Sequence, residues 1–322
     1  MTWMLTGGAG YIGAHVVRSL LDSGRDVVVL DDLSTGVSRK VPEGVALEQV
    51  DVCDRAAVAD VLRRHEVTGV VHLAAKKAVG ESVERPHFYY RQNVEGAMAL
   101  TEAMAEAGVR RLVYSSSASV YGPTDAPLVT EDTPTLPMSP YGQTKLIGEW
   151  IGADLAVAEG FSVVALRYFN VAGAGADELG DTGAFNLIPM VLRAYTQGAR
   201  PLIFGDDYPT PDGTCIRDYI HITDLAEGHV AAAIRTEVDE AGFAAYNLGR
   251  GVGSSVREVL DAVSGAIGVA LDPEVVDRRA GDPPALVASA DKAREELGWV
   301  ATRSLEDMCA SAWSAWQAYP PA

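Results

Sequence analysis

Three cysteines in 322 residues (Cys53, Cys215 and Cys309), odd in number and widely spaced, supply neither a disulfide framework nor a metal-ligand pattern, which points to a reducing compartment. The chain has no apolar run approaching eighteen residues, and it opens on a core-like strand instead of a charged-then-apolar leader. Membrane spanning and secretion are both disfavoured, and the chain reads as cytoplasmic. Basic residues are scarce. The 26 Lys and Arg face 44 Asp and Glu, and the resulting charge of −18 excludes a broad nucleic-acid footprint while leaving room for a few local arginines on a small anion. The six histidines form no metal-binding cluster and read as structural. Internal repeats, low-complexity tracts and an obvious linker are also missing.

Thr2 to Thr6 reads as a short strand that runs into Gly7-Gly8-Ala9-Gly10-Tyr11-Ile12-Gly13, after which His15, Val16, Val17, Leu20 and Leu21 repeat at helical spacing. Strand, glycine turn and helix make a dinucleotide-binding arrangement. Gly8, Gly10 and Gly13 give G-x-G-x-x-G, and Gly7, Gly10 and Gly13 give the wider G-x-x-G-x-x-G; in either frame, absent side chains let backbone N–H groups approach a pyrophosphate. A second strand, Asp26 to Leu30, ends in Asp31-Asp32, where an acid holds the adenosine ribose hydroxyls and repels a 2′-phosphate. No Lys or Arg follows before Arg39 and Lys40, so NAD is favoured over NADP.

Tyr141 and Lys145 lie four apart behind Ser139 as N-cap and Pro140 as first helical residue, so they share a helix face. An ammonium at roughly 4 Å in an effective dielectric near 20 gives about 4 kcal/mol, which lowers a phenol by about three pKa units and makes Tyr141 a usable general base. The run Tyr114-Ser115-Ser116-Ser117-Ala118 follows an apolar strand start and brings hydroxyls to the carboxyl end of a parallel strand. Ser117 is the candidate partner of a substrate hydroxyl, although a serine-rich turn bonding its own backbone explains some of these residues.

Further strand-like runs (Val45 to Val50, Gly69 to Ala74, Leu112 to Ser115, Phe161 to Leu166) alternate with helical patterns, notably near 90 to 107 and 140 to 158. The expected fold class is α/β: a Rossmann-type doubly wound parallel sheet over residues 1–170, with a smaller C-terminal substrate-binding lobe over 171–322, part of which is allowed to return to the sheet. A helix from about Ile188 to Gln197 is expected in that lobe, and the far sides of the helices near 90 to 107 and 140 to 158 suit a homodimer.

These motifs, together with Lys77-Ala78-Val79-Gly80-Glu81-Ser82, Arg167-Tyr168-Phe169-Asn170 and the long run Phe204 to Thr214 continuing through Arg217-Asp218-Tyr219-Ile220-His221, resemble the extended short-chain dehydrogenases/reductases. Within them the chain is similar to the UDP-glucose 4-epimerases over nearly its whole length. The resemblance implies an isomerase of carbohydrate metabolism with tightly bound NAD, which converts UDP-galactose to UDP-glucose by transient oxidation at carbon 4 and return of hydride to the opposite face. It places Gly7, Gly10, Tyr11, Ile12, Gly13, Asp31, Asp32, Leu33, Ser34, Thr35, Gly36, Asp51, Val52, Leu73, Ala74, Ala75, Lys77, Asn93, Ser115, Tyr141, Lys145, Tyr168 and Phe169 around NAD. It makes Ser117, Tyr141 and Lys145 catalytic, and sets Lys77, Ser117, Tyr141, Asn170, Asn186, Leu187, Leu202, Ile203, Phe204, Arg217, Tyr219, Arg279 to Asp282 and Leu286 on the UDP-sugar. Arg217 and Arg279 offer donor forks for a diphosphate, and Phe204 an apolar face for uracil.

One position departs from the family: Leu286 stands where hexose-only members carry tyrosine, which leaves UDP-N-acetylglucosamine or its galactosamine epimer open as a substrate. A nucleotide-sugar 4,6-dehydratase is the nearest alternative, but Ser117-Ala118 replaces the Asp-Glu pair that water elimination needs. A catalytically silent NAD-binding regulator is the alternative from another class, and the intact Ser117, Tyr141 and Lys145 speak against it.

Overall fold

Seven parallel strands make the main sheet in the computed structural model, which describes every residue except Asp125, Ala184, Phe185, Asp239, Ala280, Gly281 and Ala322. In chain order the first six are β1 (Thr2–Thr6), β2 (Asp26–Leu30), β3 (Ala46–Glu48), β4 (Val67–His72), β5 (Arg111–Ser117) and β6 (Ser162–Tyr168). Their spatial order is 3-2-1-4-5-6, with Gly242–Leu248 added beside β6. The order reverses beside β1, so a crevice opens above the carboxyl ends of β1, β2 and β4. The returning strand at 242–248 is the segment for which the lobe expectation left room.

Strand alternation explains the two cores. Trp3, Leu5, Val27 and Val29 face the helices Tyr11–Asp22 and Ile222–Val238, whereas Met4, Val28 and Leu30 face Arg55–Arg64 and Gly96–Ala107. Burial on both faces is why β2 reads Val-Val-Val-Leu without polar alternation.

In the lobe, Ile216–His221 is the central strand, antiparallel to Gly253–Ser255 and parallel to Ala285–Leu286 and Asn170–Ala172. A separate pair joins Leu202–Phe204 to Glu274–Val276. Beneath them Val191, Leu192, Ile203, Val259, Met308 and Trp316 pack into a third core. The helix expected near 188 to 197 is present as Leu187–Thr196, but Val256–Ile267 and Leu305–Ala318 went unread in the sequence. Both begin with a capping box, Ser255 with Glu258 and Ser304 with Asp307, so a local start signal was available.

The segment near 90 to 107 differs from the uniform helix expected. Tyr90–Glu95 is π-helical before Gly96–Ala107 becomes α-helical. The widened turn carries Asn93, whose side chain takes the Lys76 N–H at 2.8 Å and donates to the Lys76 carbonyl at 3.0 Å. Among the described residues no helix is long and apolar enough to cross a membrane.

Candidate active site

The glycine turn is built for close approach. Gly7 adopts φ +72°, and a Cβ on Gly13 would stand 2.2 Å from the Gly7 carbonyl oxygen and 2.7 Å from Gly8 Cα, so the helix can reach the turn only with hydrogen at position 13. Asp31 braces the same turn from the end of β2, its two oxygens accepting N–H bonds from Ala9 and Leu33 at 2.9 Å each. Burial pushes its pKa up, and those two bonds oppose the shift. Gly13→Ala should therefore displace the turn and cost at least tenfold in dinucleotide affinity, an overpacking penalty of about 1–3 kcal/mol. Equilibrium dialysis against NAD measures it, and binding within twofold of the parent protein would contradict the cradle.

The crevice above the sheet encloses about 330 Å³. Of the residues expected around a dinucleotide, Gly7, Gly10, Tyr11, Ile12, Gly13, Asp31, Asp32, Ser34, Thr35, Gly36, Asp51, Val52, Leu73, Ala74, Ala75, Lys77, Ser115, Tyr141, Lys145 and Tyr168 line it. Leu33, Asn93 and Phe169 stand outside the lining: Asn93 holds the Lys76 backbone from behind, and Phe169 packs with Ala118, Tyr121 and Leu146. Sequence reading did not anticipate Lys40, Glu81, Tyr89, Gln92 or Asp181 to Gly183 at this crevice. The buried Lys40 donates to the Gly180 carbonyl at 2.8 Å and so ties the nucleotide loop to the lobe, a contact that no local pattern encodes.

Helix Pro140–Glu159 begins as its sequence requires, with Ser139 Oγ accepting from Gly142 N–H at 3.2 Å and Pro140 in the first turn. Tyr141 and Lys145 share a face, yet the electrostatic expectation is corrected. Lys145 Nζ lies 6.0 Å from the Tyr141 ring centre and donates instead to the Ser115 carbonyl at 2.6 Å. Burial lowers its pKa to about 7, and burial also raises that of Tyr141, with a hydrogen bond from Ser117 pulling the other way. Desolvation of both groups outweighs an attraction that needs a closer approach of ammonium to phenol. In the protein alone, Ser117 is the group that favours the phenolate.

The remaining expected residues gather on the lobe. Strand register sets Asn170 beside Tyr219 and Leu286 beside Arg217, and the Asn186 side chain donates to Asp181 at 2.9 Å at the start of Leu187–Thr196. Leu202 is exposed and Ile203 is fully buried. Phe204 has one face covered by the Arg279 guanidinium, 3.8 Å from its centre, and Arg217 reaches Asp282 at 3.5 Å. Of the run from Arg279 to Asp282, Ala280 and Gly281 lie outside the described residues. Leu286 packs against the cluster of Ala118, Tyr121 and Phe169, which brings it next to the Ser117 turn.

The NAD dependent epimerase/dehydratase family profile matches residues 3–249. The chain belongs to this family. It is 45% identical to a UDP-glucose 4-epimerase of Azospirillum brasilense over 303 residues, covering 92% of this chain and 86% of the relative. The crystal structure of a UDP-glucose-4-epimerase from Stenotrophomonas maltophila with bound NAD and formylated UDP-arabinopyranose is 40% identical with a TM-score of 0.93, covering 99% of this chain and 98% of that one. A Bifidobacterium longum UDP-glucose 4-epimerase in complex with NAD+ and UDP is 38% identical with a TM-score of 0.92, covering 99% of both chains. Family membership and the glycine cradle agree: the turn that a Cβ would fill, Asp31 and the crevice lining fit NAD.

Proposed function

We propose that this chain is an NAD-dependent isomerase that interconverts UDP-galactose and UDP-glucose by inverting carbon 4. The observation that carries the reading is the meeting, in one crevice, of the glycine cradle with Tyr141, which has Ser117 on its hydroxyl and Lys145 one turn behind. Bound NAD supplies a hydride acceptor and a positive ring that favours the phenolate. Tyr141 takes the proton of the 4-hydroxyl, and Ser117 holds that oxygen in line. Lys145, anchored on the Ser115 carbonyl, supplies the neighbouring cation when protonated. Gly10, Tyr11, Ile12, Asp31, Ser34 and Lys77 hold the dinucleotide; Asn170, Asn186, Phe204, Arg217, Tyr219, Arg279, Asp282 and Leu286 hold the UDP-sugar.

In this reading the NAD unit comprises residues 1–170 joined by the helix Ile222–Val238 and the returning strand Gly242–Leu248, and the rest of 171–322 forms the UDP-sugar lobe. Met98, Trp150 and Val157 are exposed on the helices Gly96–Ala107 and Pro140–Glu159, which supports a homodimer through that face. The compartment proposed is the cytoplasm. The deciding experiment incubates purified protein with UDP-galactose and no added NAD, and follows the sugar by NMR. UDP-glucose should accumulate to equilibrium; unchanged substrate would overturn the proposal.

Leu286 favours a wider substrate range, since a leucine against Ala118 and Phe169 leaves space that a tyrosine would take. Leu286→Tyr should depress kcat/KM for UDP-N-acetylglucosamine by about tenfold more than for UDP-galactose, a difference of about 1.4 kcal/mol. Equal effects on both sugars would remove this second substrate class.

A further inference from the structure

The serines of β5 alternate in direction. Ser115 lines the crevice and Ser117 bonds Tyr141, whereas Ser116, which is fully buried, points away and donates to Glu149. Glu149 lies on the helix that carries Tyr141, about two turns further on. Its carboxylate also receives Arg167 of β6 through two donors, at 2.9 Å and 2.5 Å. Arg167 then donates to the Tyr121 hydroxyl at 3.0 Å, Tyr121 to the Asn247 side-chain oxygen at 2.6 Å, and the Asn247 amide to the Val129 carbonyl at 3.0 Å. Val129 is bonded on both sides to the segment that bears Leu286, its N–H to the Val287 carbonyl and its own carbonyl to the Ser289 N–H, each at 2.8 Å. Every link in this chain is buried, and the donors run in one direction from Arg167 onward.

We propose that Ser116, Glu149, Arg167, Tyr121 and Asn247 form a positioning relay, which holds Ser117 against Tyr141 at one end and the Leu286 wall of the sugar pocket at the other. None of these groups is assigned to the reacting atoms. Burying an ion pair costs desolvation that a well-packed apolar pair avoids, so the pair is not explained by stability. What it provides is direction: a bidentate guanidinium admits one orientation, and apolar packing admits several. Glu149 is the register pin between the helix and β5. A shift of the helix along the strand that carried Tyr141 away from Ser117 would also have to break the bonds of Glu149 to Ser116 and Arg167. At the far end, Tyr121 makes the position of the Leu286 segment depend on the same arginine.

The inference rests on the epimerase reading, and its test separates the two. Ser116→Ala and Tyr121→Phe each remove one hydroxyl from the relay and keep the volume nearly unchanged. Both are prepared as the full chain with NAD, alongside the parent protein and Tyr141→Phe as the spectroscopic blank. Difference absorbance titrates the Tyr141 phenol without any turnover, and kcat, KM for UDP-galactose and Kd for UDP are measured beside it. Ser116→Ala should raise the apparent phenol pKa by about one unit, because Ser117 loses its alignment, and lower kcat about tenfold with Kd for UDP within twofold. Tyr121→Phe should raise KM for UDP-galactose several-fold and leave Kd for UDP unchanged, since only the sugar wall moves. A phenol titration and a kcat–KM split identical to the parent, with a lowered thermal midpoint alone, would reduce the relay to ordinary core structure. If the parent does not turn over UDP-galactose the functional reading fails, and the phenol titration still decides the relay.

Discussion

Tyr141→Phe should leave the fold and NAD binding intact while turnover of UDP-galactose falls by about 10²–10⁴-fold, the usual range for losing a positioned acid or base. The phenol oxygen takes the proton in the proposed reaction, and phenylalanine deletes that atom while keeping the ring. Burial raises the Tyr141 pKa, and Ser117 is the neighbour that lowers it. Lys145 is held by Ser115 and brought to about 7 by desolvation, so part of the population lacks the ammonium near neutral pH. Lys145→Met should accordingly cost less in kcat than Tyr141→Phe, and the cost should be greatest below about pH 7, where the parent lysine is charged. Wild-type-like turnover in Tyr141→Phe, measured by NMR on UDP-galactose, would reject the assignment of the base.

Mild acid should unfold the protein over a window set by its buried histidines. Burial lowers His15, His221 and His229 to about 4 and His72 to about 3. The neutral state is built into the hydrogen bonding: His15 Nε2 accepts the Gly175 N–H at 2.9 Å, and His221 Nδ1 accepts the Thr223 N–H at 3.1 Å, so a proton on either nitrogen would face a donor. Folded pKa values below the unfolded value of about 6.5 mean that the unfolded chain binds protons first. Stability is then complete above about pH 6.5 and is lost as pH falls towards 4. For His15 and His229 the full loss is about 3 kcal/mol each, a large part of a typical total of about 5–15 kcal/mol. Asp218 works in the opposite sense. Burial raises it to about 6 against bonds from Arg250, Gly251 and Ala288, so its folded form gains a proton first and adds stability as pH falls below 6. Asp31, which burial also raises, acts in the same sense, and the four histidines outweigh the two aspartates. Urea midpoints should drop steadily between about pH 6.5 and pH 4.5, and a level midpoint across that interval would refute the argument.

Local chemistry carried much of the fold. The strands at Thr2–Thr6 and Asp26–Leu30, the glycine turn between them and the cap at Ser139 with Pro140 were legible because each depends on neighbours within one turn or one strand. The later helices carried a local signal as well: both open on a capping box, and Val256–Ile267 gathers Val259, Leu260 and Val263 on one buried face, so its start and its periodicity were both present in the sequence. Residues that reach the crevice from far along the chain, such as Lys40 bonded to Gly180 and Asp181 beside them, had no signature at all.

The amino-acid sequence by itself determined the order of the elements, the glycine cradle, the acid at the end of β2, and the residue types that meet in the crevice. Backbone sterics and short-range hydrogen bonds follow from identity and spacing. Only the tertiary structure decided the charge state of that chemistry. It set Lys145 on a carbonyl instead of the phenol, turned Ser116 back towards Glu149, and left Ser117 as the hydrogen-bond donor to Tyr141. Proton affinity depends on how completely each group is stripped of water, and desolvation is a property of packing that a four-residue spacing does not contain.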